Sequence, residues 1–98
     1  NFEEKVRIIE EVDRFLPIAL GLGFDVIAVT GDHSTPSSLK RHSWHPVPLL
    51  IKGKYTFPDD GKRLTERECV KGILGHINGY NLMPILLANA LKLDKFGA

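Results

Sequence analysis

The run Phe24-Asp25-Val26-Ile27-Ala28-Val29-Thr30 carries apolar and β-branched side chains at both odd and even positions. Strict alternation would leave one face to water; this pattern suits a central parallel strand covered on both faces by helices. The constraint extends backwards along the chain. Phe2, Val6, Ile9, Val12, Leu16 and Leu20 recur at spacings of three and four, which marks one apolar helical face, while Glu3 with Arg7 and Glu10 with Arg14 pair across the polar side. Pro17 lacks an amide proton and presses on the carbonyl of Asp13, so a kink or an early end near Leu16 is expected, with Gly21 and Gly23 closing the segment. Helix, glycine turn and apolar strand form half of a repeating α/β unit, and its handed crossover calls for a further strand before Asn1.

The strand runs directly into Thr30-Gly31-Asp32-His33-Ser34-Thr35-Pro36, and His42 and His45 follow at nine and twelve residues beyond His33. In open α/β sheets ligands bind at the carboxyl ends of strands, where Gly31 allows a sharp turn before Asp32 and His33. Imidazole and carboxylate together suit Zn²⁺, Mn²⁺ or Fe²⁺. The same residue types also crowd ordinary turns, and Thr35 before Pro36 has the form of a helix cap with a short helical turn up to Leu39. Lys40 and Arg41 beside His42 are either a solvated loop or charge aimed at a phosphate. A Ser-His-Asp triad built from Ser34, Thr35, Ser37 or Ser38 with His33 and Asp32 is disfavoured, because adjacent side chains do not line up nucleophile, base and orienter in series.

Val47-Pro48-Leu49-Leu50-Ile51 returns as a strand that starts at a sheet edge, bulge or strand end, because Pro48 donates nothing to a ladder, and Gly53 ends it. Residues 52–63 are a polar surface excursion with Asp60-Gly61 as a turn signal and room for a brief strand around Tyr55 to Phe57. Thr65 and Glu68 read as a capping box for a helix carrying Glu66, Cys69, Val70 and Ile73, broken up by Gly72, Gly75 and Gly79. Asn81 caps a last helix from Leu82 to about Leu91, with Pro84 near its first turn and Leu82, Ile85, Leu86 and Ala90 facing the core. Cys69 is the one cysteine, which excludes an internal disulfide and fits a small packed side chain; His76 and Trp44 are read as structural.

Ninety-eight residues leave room for one small domain or part of one. Thirteen basic and twelve acidic residues give a net charge of +1, with no electrostatic case for nucleic acid or an anionic membrane. No apolar stretch approaches the roughly 20 residues that cross a bilayer, and no signal pattern opens the chain, so a cytoplasmic location is expected.

Three segments taken together, Thr30 to Pro36, His42-Ser43-Trp44-His45-Pro46-Val47-Pro48-Leu49-Leu50-Ile51, and Gly72-Ile73-Leu74-Gly75 with Leu82-Met83-Pro84-Ile85-Leu86-Leu87, resemble the C-terminal portion of the archaeal-type, cofactor-independent phosphoglycerate mutases of the alkaline phosphatase superfamily. The resemblance covers essentially the whole chain, in the family's order and spacing. It implies a partial three-layer α/β/α sandwich, two or three core strands flanked by helices, with residues 1–98 as a single C-terminal segment. It also implies that the serine nucleophile lies outside these residues, and that an Asp-x-x-x-His pair stands just before Asn1.

From the resemblance, two divalent ions are expected, Mn²⁺ ahead of Mg²⁺, Co²⁺ and Zn²⁺. Asp32 and His33 match the pair holding the ion at the serine, and His42 matches a ligand of the second ion. His45, Arg41 and Lys40 fall beside the ligands or at the substrate's edge. The implied reaction is the glycolytic interconversion of 3-phosphoglycerate and 2-phosphoglycerate through a phosphoserine, with the 98 residues alone inactive. The expected partners are the phosphoglycerate substrate and the remainder of the parent chain, with self-association open. Two other readings stay open: a metal-dependent phosphatase or phosphopentomutase of the same superfamily, and a non-catalytic α/β assembly module.

Overall fold

The computed structural model describes residues 1–93; the expected segment also includes 94–98, which lie outside the described residues. Helix α1 spans Phe2–Leu20, and Asn1 caps it by accepting the Glu4 amide at 3.0 Å. Arg7 forms a two-point pair with Glu4, Nε and Nη2 each 2.9 Å from a carboxylate oxygen, in place of the expected Glu3 partner. Arg7 holds the Glu4 carboxyl below its ordinary range, although a pair this open to water adds little to stability. The early end near Leu16 is not found. Pro17 sits in the last turn, where its missing N–H costs only the bond to Asp13, and the Gly21 amide closes the end by donating to the carbonyls of Pro17 at 3.0 Å and Ile18 at 3.2 Å. Gly23 then adopts φ +82°, a left-handed conformation that glycine takes at no steric cost.

Strands β1, Val26–Thr30, and β2, Leu49–Gly53, form a two-stranded antiparallel sheet in which Val26 faces Gly53, Ala28 faces Ile51 and Thr30 faces Leu49. The parallel neighbour is expected before Asn1, outside the described residues, while among these β1 has an antiparallel neighbour, β2. The reason lies in the connection: an excursion that leaves and re-enters the same strand ends returns the chain in the opposite sense. Val26 to Val29 are all half-buried, whereas β2 alternates between half-buried and exposed, so the apolar run is the more enclosed strand, as its composition requires. Pro48 lies just outside β2, and its carbonyl accepts the Thr30 hydroxyl at 2.9 Å.

Residues 54–65 contain no strand, so the one expected near Tyr55 to Phe57 is absent; Gly61 instead donates its amide to Asp59 Oδ1 at 2.8 Å. Helix α2 is short, Glu66–Val70, with Thr65 Oγ1 accepting the Glu68 amide at 3.1 Å, the first half of the expected box. It ends before Ile73, and His76 lies in the irregular segment beyond it rather than on a helix. A 3-10 turn, Gly79–Asn81, passes directly into helix α3, Leu82–Asn89. Asn81 does not cap α3: the turn holds it at φ −86°, ψ −11°, already helical, whereas a cap needs extended backbone. Leu82, Ile85, Leu86 and Ala90 are half-buried, and α3 packs on β1.

This mixed arrangement of two strands and flanking helices is a partial alkaline-phosphatase-like α/β architecture. No hydrophobic side chain among the described residues is fully buried, and Phe2 and Ile9 on α1 are 68% and 67% exposed. The radius of gyration, 14.8 Å, exceeds the roughly 13 Å of a compact 100-residue domain. No helix of the described residues is long and apolar enough to cross a membrane.

Gly53, at the end of β2, is the tightest joint of the sheet. A Cβ there would stand 3.0 Å from the Asp25 carbonyl, 3.0 Å from Thr56 Oγ1 and 3.1 Å from Val26 Cγ2, and the first of these is backbone that does not yield. Gly53→Ala should therefore lower unfolding stability by about 1–3 kcal/mol. Gly79→Ala, where nothing lies within 4 Å of the new Cβ, should stay within about 0.5 kcal/mol in the same denaturation assay.

Candidate metal centre

The sheet delivers both ends of one loop to the same place. Thr30 and Leu49 are register partners, so everything from Gly31 to Pro48 leaves and returns at one strand edge. Inside the loop a second clip forms: Ser43 N donates to Ser34 O at 2.8 Å in an isolated antiparallel bridge. That bridge sets His42 across from Thr35 and diagonal to His33, the reach at which cross-strand side chains interact.

The side chains follow this backbone. Asp32 Oδ2 lies 3.5 Å from His33 Nε2, and the rings of His33 and His42 stand 4.5 Å apart between centroids at 34°. Thr35 Oγ1 is 2.7 Å from His42 Nδ1. Thr35 is thus not the helix cap its place before Pro36 suggests. Its hydroxyl goes to the imidazole, and the turn after it closes through the amides of Leu39 and Lys40 on the Pro36 carbonyl. The Thr35 carbonyl also accepts a hydrogen bond from Lys5 Nζ, thirty residues earlier on α1.

Asp32, His33 and His42 therefore share one corner of the loop, all exposed. Among the described residues no three His, Cys, Asp or Glu side chains are placed so that they could together hold one metal ion. His45 goes elsewhere: its Nδ1 is 2.8 Å from Ser43 Oγ, and Trp44 stacks on its ring at 4.7 Å and 22°. Lys40 takes φ +55°, an uncommon left-handed conformation for a non-glycine residue. Neither the Lys40 nor the Arg41 side chain makes a hydrogen bond or ion pair among the described residues. The hydroxyl contacts in the loop fall on His42 and His45, while His33 is met by Asp32 and His42, so no serine–His33–Asp32 relay forms among the described residues.

Carboxylate and imidazole are donor types that suit divalent cations of the Mn²⁺ to Zn²⁺ range. The contacts of Thr35 and Ser43 were not legible beforehand, because pairing inside a polar loop leaves no hydrophobic pattern in the sequence.

The family model of the metalloenzyme superfamily matches residues 1–89, and the chain belongs to that superfamily. Within it, the chain is 58% identical over its whole length to a Thermus thermophilus protein named probable 2,3-bisphosphoglycerate-independent phosphoglycerate mutase, and 59% identical to a protein of the same name from Deinococcus radiodurans. It spans 24% of the length of each of these curated relatives. The solved structure of PH0037 protein from Pyrococcus horikoshii superposes with a TM-score of 0.86 at 45% identity, over 96% of this chain and 26% of that one.

Trp44, the single tryptophan, is 84% exposed and stacks on the His45 ring. His45→Ala should shift its fluorescence emission to longer wavelength, and Ser43→Ala should give a smaller shift of the same sign by releasing His45. Unchanged emission in His45→Ala would show that the stack does not persist in solution.

Proposed function

We propose that this chain is the C-terminal, metal-binding segment of a cytoplasmic phosphoglycerate mutase, and that the whole protein interconverts 3-phosphoglycerate and 2-phosphoglycerate in glycolysis. The observation that carries the reading is the 58% identity over the full 98 residues to a protein bearing that name, and it is joined by a loop whose Asp32, His33 and His42 lie together. In this reading Asp32 and His33 hold one divalent ion and His42 helps hold a second, with Mn²⁺ the favoured metal.

Two bound ions supply charge stabilisation to both the attacking and the departing oxygen of an in-line phosphoryl displacement. The remaining roles fall to side chains. A serine outside these 98 residues accepts the phosphoryl group and returns it to the neighbouring hydroxyl. Arg41 and Lys40, with no partner among the described residues, are free to meet phosphate oxygens, Arg41 through its planar fork and Lys40 as a point charge. His45, held by Ser43 and Trp44, borders the substrate. The exposed apolar faces of α1 pack against the remainder of the parent chain.

The full-length protein should interconvert the two phosphoglycerates, lose activity to a chelator and regain it with Mn²⁺. Asp32→Ala and His42→Ala should each cost more than the roughly 100-fold lost when a residue merely orienting a ligand is removed. The 98 residues alone should show no turnover. Activity indifferent to chelation and to both substitutions defeats the metal assignment, and release of free phosphate without interconversion marks a phosphatase instead. Arg41→Ala should raise KM about tenfold, the loss of one charge-assisted contact, with a smaller change in kcat.

A further inference from the structure

The shortest contact between two side chains of the loop, and one that the mutase reading leaves without a role, is Thr35 Oγ1 to His42 Nδ1, at 2.7 Å. Both groups are held by contacts besides the one between them. Thr35 is held by the Lys5 ammonium on its carbonyl, and its neighbour Ser34 by the Ser43 amide; His42 adjoins Ser43 and is flanked by the His33 ring at 4.5 Å. A hydroxyl at Nδ1 has two arrangements. If the hydroxyl donates, the imidazole proton sits on Nε2 and blocks it. If Nδ1–H donates to the hydroxyl oxygen, Nε2 keeps its lone pair.

We infer that Thr35 is a positioning residue: its oxygen accepts the Nδ1–H of His42 and so fixes the tautomer and ring orientation that present Nε2 to a divalent cation. The inference rests on the reading of His42 as a metal ligand. An outer partner of this kind orients an imidazole and raises its basicity, and its loss weakens metal binding without removing a ligand.

The test uses the full-length protein with ¹⁵N-labelled histidine, free of metal, at a pH where the imidazoles are neutral. Long-range ¹H–¹⁵N correlation should show His42 protonated at Nδ1 in the wild type and in Thr35→Ser, and a mixture of tautomers in Thr35→Val. Mn²⁺, titrated with the free ion followed by electron paramagnetic resonance, should bind about 10- to 100-fold more weakly to Thr35→Val, with Thr35→Ser close to the wild type. A wild-type His42 protonated at Nε2, or a Thr35→Val protein that binds Mn²⁺ as tightly as the wild type, overturns the positioning role. An Nδ1-protonated ring with undiminished Mn²⁺ binding in His42→Ala overturns the ligand reading itself, so the two failures are told apart.

Discussion

One register decides where the chemistry can be. Because Thr30 pairs with Leu49, the eighteen residues between them form a single closed excursion from one strand edge, tightened further by the bridge between Ser34 and Ser43. A slip of one residue in either pairing would turn the affected side chains to the opposite face. The apolar content of β1 guards against this in the sheet, and Gly53 guards its far end, where the Asp25 carbonyl leaves no space for a side chain. The loop has no such apolar guard. Its register depends on one backbone hydrogen bond and on the contacts of Thr35 and Ser43.

The rest of the molecule is loosely held by comparison. Helix α1 carries Phe2, Ile9 and Val12 on the face read from the sequence, and also Ile8, Phe15 and Ile18 beyond it, so its apolar arc is wider than a single packing contact uses. All six are exposed. At roughly 25 cal/mol per Å² of apolar surface, leaving such an arc in water forgoes several kcal/mol of stabilisation. A chain spanning 24% of its curated relatives presents, in α1, a helix shaped to be enclosed on more than one side.

What could be read from the residues depended on how local the cause was. The strands β1 and β2 were legible because apolar composition and Pro48 act within a few residues. The loop was legible as a place where Asp32, His33 and His42 come close together, and the family was legible from ordered segments. Errors arose where a neighbouring element overrode a local signal. Pro17 fell in a last turn that tolerates it, Asn81 was absorbed into a continuous helical run, and Thr35 gave its hydroxyl to a side chain seven residues away rather than to a helix. The sense of the β1–β2 pairing was not legible at all: enclosure of a strand says how much covers it and nothing about the direction of its neighbour.

Thr35 is gripped at two atoms by two distant parts of the chain, its carbonyl by Lys5 and its hydroxyl by His42. The opening turn of α1 and an imidazole at the sheet edge therefore meet on a single threonine. A surface lysine that a census of charges would pass over is thus a tie between the helix and the loop, holding the backbone of the residue whose hydroxyl meets His42.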